Sequence, residues 1–173
     1  MFLVVQLMLV VVFARQTSGA TKLDCQSLRS KADSSYRKRS DLKTRQRAEI
    51  DLKGALEECA LSEPSKLERR LRTVQEEIAM TQLLVAEFYL KYSNGQVVKA
   101  ALSRLQRIDN NYRNFSQMDR VLFMLGDLSD KDGTDDNAVR YFQRLIADYP
   151  RSSYAVQARE RLAALSPVTP KHN

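Results

Sequence analysis

The sequence predicts an all-α fold in which a long helical hairpin precedes stacked helix-turn-helix repeats. Three observations carry this expectation. Only five of 173 residues are Gly and four are Pro, Trp is absent, and Ala, Leu, Arg, Glu and Gln recur throughout, which is the composition of helices. A seam of apolar residues at 4-3 spacing runs through the middle of the chain. A set of positions in one helical register returns 37 residues later.

At the start of the chain, residues 2–13 form a nearly unbroken apolar run, and Ser18-Gly19-Ala20 supplies the small residues that signal peptidase accepts. Twelve residues are too few for a bilayer, which needs roughly 20. Residues 1–20 are therefore expected to be an export signal, although no positive residue opens the run; a buried core helix is the alternative. Lys22-Leu23-Asp24 before Cys25 does not resemble a lipid-attachment site, which needs a small residue there.

Residues 21–64 read as a basic helical or coiled-coil segment. From residue 23 to 61 there is no proline and only Gly54, so one long helix is the simplest reading. Ala48, Leu52, Ala55 and Cys59 follow a 4-3-4 spacing. Upstream, Arg29, Lys31, Arg37, Lys38, Arg39, Lys43, Arg45 and Arg47 are opposed only by Asp33 and Asp41. A continuous helix would hold Cys25 and Cys59 about 50 Å apart, against the roughly 7 Å a disulfide allows. Free thiols, or an intermolecular bridge at Cys25, are expected.

Residues 65–165 are expected to form the repeat domain. Ser62-Glu63-Pro64 breaks the preceding helix, and Ser65-Lys66-Leu67-Glu68 reads as a capping box opening the next. Leu67, Leu71, Val74, Ile78, Thr81, Val85 and Phe88 then form a 4-3 seam whose partner is either the preceding helix folded back or a second copy of the chain. Further on, Ala101, Leu105, Ile108 and Tyr112 recur as Ala138, Phe142, Leu145 and Tyr149.

The second unit matches the tetratricopeptide pattern through Leu125, Gly126, Ala138, Phe142 and Pro150. Small Gly126 and Ala138 let two helices approach, Phe142 fills the space between repeats, and Pro150 ends a helix because it lacks the amide donor. The first unit is looser, with Ala86 where Gly is usual, Arg113 in place of the Pro, and a turn from residue 92 to 98 about three residues longer. Tyr154, Ala155, Ala158, Leu162 and Leu165 share one face of a final segment that stops before Pro167, a capping helix of the kind a solenoid end requires. Residues 166–173 are expected to be a flexible tail.

The runs Val85-Ala86-Glu87-Phe88-Tyr89-Leu90-Lys91, Ala100-Ala101-Leu102-Ser103-Arg104-Leu105 and Tyr141-Phe142-Gln143-Arg144-Leu145-Ile146-Ala147-Asp148-Tyr149-Pro150 resemble the C-terminal part of the BamD (YfiO) family, as do Ser153-Tyr154-Ala155 and Ala158-Arg159-Glu160-Arg161-Leu162. The resemblance covers about residues 66–165. It implies a periplasmic scaffold of the machinery that assembles β-barrels into the outer membrane, with a BamA-like barrel subunit as protein partner. The family's N-terminal repeats and lipid-attachment cysteine have no counterpart among these residues, and the basic helix stands in their place. A coiled coil followed by such repeats is also the layout of the CpoB (YbgF) adaptors of the Tol-Pal system, which implies a homo-oligomer.

First helices line the concave groove of these repeats, so Leu83, Glu87, Arg120, Phe123 and Asp127 are the expected partner contacts, Phe123 foremost because groove aromatics are frequent hot spots. Phe123 is equally suited to packing within the array. The Asp-rich stretch 130–136 lacks EF-hand spacing and the bidentate Glu, and Gly133 and Asn137 read as turn residues, so no metal is expected. The net charge of +7 favours polyanions. No nucleic-acid motif or aromatic interleaving accompanies the basic stretch, leaving a solvated helix face or peripheral contact with an anionic membrane surface. His172 lies in the tail, neither cysteine has a histidine beside it, and no phosphate-binding glycine loop occurs, so neither an enzyme nor a cofactor is expected.

Overall fold

The computed structural model describes residues 22–59, 64–92 and 97–165. The expected signal at 1–20, the residues Ser62 and Glu63, most of the turn from 92 to 98, and the tail at 166–173 lie outside the described residues. Among the described residues the chain is all helical, with α1 (Lys22–Arg37), α2 (Leu42–Glu58), α3 (Pro64–Tyr92), α4 (Val98–Asn111), α5 (Met118–Lys131), α6 (Asp135–Asp148) and α7 (Ser153–Leu165). None of them is long and apolar enough to cross a membrane. The chain divides into two compact units between Val74 and Gln75, inside α3.

The first unit overturns the single long helix expected from residue 23 to 61. The chain leaves α1 after Arg37 and re-enters a helix at Leu42. Asp41 causes the restart. Its backbone is extended, its side chain accepts from the Thr44 amide at 2.9 Å, and the Thr44 hydroxyl accepts from the Asp41 amide at 3.0 Å. Two amide donors that no helical carbonyl can reach are thereby satisfied.

With the chain reversed, α1 and α2 pack as a hairpin. Ala32, Ala48, Leu52 and Ala55 are fully buried and Cys59 nearly so, which agrees with the 4-3-4 seam of α2. Reversal also brings Cys25 and Cys59 to a Cα separation of 5.5 Å, where they form a disulfide. The expectation of free or intermolecular thiols is therefore corrected: the 50 Å separation rested on a helix that turns back halfway.

Asp51, with only 4% of its side chain exposed, anchors the hairpin's polar side. It accepts from the Ser35 hydroxyl at 2.6 Å and pairs with Lys31 at 3.3 Å and Arg47 at 3.2 Å, so two of the basic residues neutralise a carboxylate the charge count had not set against them. Arg70, early in α3, pairs with Asp33, and the guanidinium of Arg39 lies 3.7 Å over the Tyr36 ring.

Pro64, not Ser65, opens α3. The first helical position suits proline because its missing amide has no intrahelical acceptor there. Leu67, Val74 and Ile78 are buried as the 4-3 seam requires, but beyond Ile78 the buried set becomes Ala79, Gln82, Leu83 and Ala86. Phe88, expected on the seam, is 59% exposed. The buried face has rotated by about one residue, or 100° around the helix axis.

In the second unit the repeat register is plain. Ala101, Leu105 and Ile108 are fully buried, as are Ala138, Phe142 and Leu145. Tyr112 and Tyr149 end α4 and α6 with nearly the same backbone, φ −133, ψ 51 and φ −130, ψ 55, each amide donating to the carbonyl four residues back, Ile108 or Leu145. The connections repeat as well: Phe115 donates to Tyr112 and Ser152 to Tyr149, then Met118 to Phe115 and Ala155 to Ser152. One turn geometry thus serves both repeats and delivers α5 and α7 in the same way.

Ala155 and Ala158 are fully buried, and Tyr154, Leu162 and Leu165 pack partly against the same core, so α7 closes the array. Gly133 turns α5 into α6 with φ +73, a left-handed conformation that L side chains rarely adopt. Asn137 lies in the first turn of α6 rather than in the loop, and Asp135 and Asp136 precede it, where negative charge suits the helix dipole.

Candidate functional site

Along the first-helix face of the repeats, α3, α4 and α5 enclose an open groove of about 290 Å³ lined by Leu90, Val98, Phe123, Met124, Asp127, Leu128 and Lys131. Its floor is rigid. Phe123 is half-buried, with its ring tilted against Phe142 at 5.9 Å and against Tyr154 at 5.4 Å between centroids, which is the packing within the array that the sequence allowed. One side of the ring packs within the array and the residue also faces the groove.

Not all five expected contacts are available to a partner. Leu83 is fully buried and is corrected to a core residue. It shares the register of Phe123 one repeat earlier, but its shorter side chain ends inside the core. Glu87 and Arg120 pair with each other at 2.5 Å, bridging consecutive first helices. Asp127 pairs with Lys131 at 2.7 Å and with Arg161 of α7, which also reaches Asp130 at 3.4 Å. Glu87 and Asp127 therefore share a pattern: each is held by an arginine from the next helix of the face.

Sequence reasoning missed Leu90, Val98, Met124, Leu128 and Lys131 as lining residues. The first could have been found, being one turn beyond Glu87 on the same face. Val98 has no such signal, since it follows the turn whose path the spacing does not determine. Gln82 was missed too: it is fully buried, and its Oε1 accepts from Arg104 at 2.9 Å, fastening α3 to α4.

Burial alone would raise the Asp127 carboxyl, but the hydrogen bonds and charges of Lys131 and Arg161 outweigh it and hold the group below its usual value. A carboxylate depressed by folding contributes stability that is complete above its unfolded pKa, about 3.9, and disappears as pH falls through the lower folded value. Asp127→Asn is expected to lower the melting temperature at pH 7 and to melt with the parent protein near about pH 2. A gap in melting temperature that stays constant across that range would remove the ion pair from the account.

Elsewhere, Arg113, Arg144, Asp148 and Tyr149 border a polar recess near the ends of α4 and α6. Arg144 there bridges Asp109 at 2.6 Å and Asp148 at 3.2 Å, which makes it a tie between second helices. In the first unit Arg29, Arg37 and Lys38 border a depression on α1 with Asp33 among them. Among the described residues no group of three His, Cys, Asp or Glu side chains is placed to hold a metal ion. No family model matches the chain. No curated protein matches it either.

Proposed function

We propose that this chain is a protein-binding scaffold of the bacterial envelope, using the first-helix groove of its repeats to hold an extended or helical segment of another protein. The observation that carries the reading is the groove itself: Phe123, Leu90, Val98 and Met124 present apolar surface in a concave face, while the neighbouring charges are already paired within the array. An aromatic fixed by two other rings has little conformational freedom left to lose on binding, which favours affinity.

The Cys25–Cys59 disulfide supports an oxidising compartment, because such bonds persist in the periplasm and outside cells rather than in a reducing cytosol. It also commits Cys25 to a bridge, consistent with a scaffold that is not lipidated at that residue. Within this reading, the BamD-like segments between residues 66 and 165 support a role in β-barrel assembly at the outer membrane, with a BamA-like subunit as partner. The order of helical hairpin before repeats supports the CpoB-like adaptor of the Tol-Pal system as the second reading.

Affinity capture of the tagged chain from a native envelope, with co-purifying proteins identified by mass spectrometry, separates these. Recovery of a barrel-assembly subunit supports the first reading, recovery of Tol-Pal components replaces it with the second, and a purely cytoplasmic set of partners overturns both. Phe123→Ala is expected to weaken the captured interaction about 30-fold, the effect of losing a hot-spot aromatic worth about 2 kcal/mol. Leu90→Ser, at a second lining residue of the groove, should weaken it as well. Unchanged affinity in both variants, with intact helical circular dichroism, would remove the groove from the proposal.

A further inference from the structure

The two faces of α1 meet different surroundings. Cys25, Ala32 and Ser35 mark the face turned to α2: Cys25 is bonded to Cys59, Ala32 is fully buried, and Ser35 donates to Asp51. About half a turn away around the helix axis, Arg29, Ser30, Asp33, Ser34, Arg37 and Lys38 border an open depression of about 510 Å³. Three other cations of the hairpin serve it internally, Lys31 and Arg47 pairing with Asp51 and Lys53 with Glu49. Arg29, Arg37 and Lys38 are exposed, and their side chains pair with no carboxylate among the described residues. The acid between them, Asp33, is already held by Arg70. This face therefore presents three free cations and the hydroxyls of Ser30 and Ser34, with its carboxylate neutralised.

We propose that this face of α1 docks the chain on a membrane surface of anionic lipids, with Arg29, Arg37 and Lys38 on the phosphate headgroups. Charge complementarity identifies the occupant. Three unpaired cations within about 14 Å along one helix face suit a surface that carries many phosphates, and the serine hydroxyls add donors to phosphate oxygens. No apolar side chain lines the depression, so the helix lies on the headgroups and does not insert. A single-stranded nucleic acid is also a polyanion, but it draws affinity from rings on which its bases stack. Tyr36 is the aromatic of the hairpin, and the guanidinium groups of Arg39, at 3.7 Å, and Arg70, at 5.0 Å from its centroid, already flank it.

Each cation at an anionic surface strengthens binding about fivefold, so the three together contribute about a hundredfold. The face belongs to the first unit and the Phe123 groove to the second, and the inference stands or falls independently of what that groove binds.

Co-sedimentation of the purified full chain with vesicles tests it, comparing equal parts phosphatidylglycerol and phosphatidylcholine with phosphatidylcholine alone. Binding to the anionic vesicles is expected to exceed that to the neutral ones about a hundredfold. The excess should disappear in about 1 M salt, where the screening length is about 3 Å. Arg29→Gln/Arg37→Gln/Lys38→Gln should remove the excess. Lys99→Gln/Arg151→Gln/Arg159→Gln makes the same change in net charge on exposed side chains of the second unit, and should weaken binding less than about threefold. Ser30→Lys adds a cation to the face and should strengthen binding about fivefold, a gain that misfolding cannot produce. Equal binding to the two kinds of vesicle overturns the proposal, as does unchanged binding of the Ser30→Lys chain. Equal losses in the two triple variants overturn it too, because net charge alone would then be at work. Tighter binding to a single-stranded oligonucleotide than to the anionic vesicles would overturn it in favour of nucleic acid.

Discussion

Removing the disulfide is expected to destabilise the first unit by about 4 kcal/mol, since Cys25 and Cys59 are 34 residues apart and closing a loop of that length removes that much chain entropy from the unfolded state. The loss is large relative to what the hairpin has to offset it. Three of its fully buried apolar side chains are Ala32, Ala48 and Ala55, each contributing little area, and Leu52 is the one large residue fully buried on α2. The Asp51 cluster adds hydrogen bonds to Ser35, Lys31 and Arg47, but both basic partners are largely exposed and their contribution is screened by water.

The Cys25→Ser/Cys59→Ser double variant should therefore show two changes by hydrogen exchange. Amides of α1 and α2 are expected to lose protection by a factor approaching about a thousand, the equivalent of 4 kcal/mol. Amides of α5 and α6, in the second unit, should keep theirs. Equal loss in both units would mean that they unfold together, and unchanged protection in the hairpin would mean that its helices hold without the staple.

The disulfide also shows where sequence reasoning stopped. Helix ends marked by proline or glycine were found: Pro64 and Pro150 both lie at boundaries, and Gly133 makes its turn. The end at residue 37 has no such residue. It is set by the Asp41–Thr44 cap, a polar signal visible in Ser40-Asp41-Leu42-Lys43-Thr44 but outweighed by a stretch without breakers. Missing it straightened the hairpin and put the cysteines on opposite ends of a rod.

The second helices were legible for the opposite reason. Their positions repeat with identical spacing because each copy meets the same neighbours, so Ala101, Leu105 and Ile108 forecast Ala138, Phe142 and Leu145. First helices repeat less faithfully. Leu83 and Phe123 share a register, but side-chain length decides that one ends in the core and the other reaches the groove. On α3 the 4-3 spacing persists through Phe88, although the face that is buried changes after Ile78; periodicity reports that a face is apolar, not what covers it.

Phe142→Ala is expected to cost about 3–5 kcal/mol, the range for deleting a fully buried aromatic whose surroundings cannot collapse into the space. Its ring is wholly enclosed and touches both Phe123 and the backbone of α5 at Gly126. A methyl group added at Gly126 would lie 2.5 Å from one carbon of that ring and 2.7 Å from two others. Buried on all sides, the ring has no solvent side to swing toward, so Gly126→Ala should itself destabilise by about 1–3 kcal/mol despite the better helix propensity of alanine.

Combining the two changes gives the sharper result. Once Phe142 is alanine, the clash is gone and the added methyl enters the vacated space, while alanine gains about 1 kcal/mol over glycine within a helix. Gly126→Ala is then expected to stabilise the Phe142→Ala protein, reversing its sign between backgrounds, with a coupling energy of about 2–3 kcal/mol in a denaturant-unfolding cycle. Additive effects would mean that glycine is required at 126 for some reason other than the ring. A reversed sign would establish that the small residue in α5 and the large one in α6 are a single packing device, with the close approach of the two helices as its result.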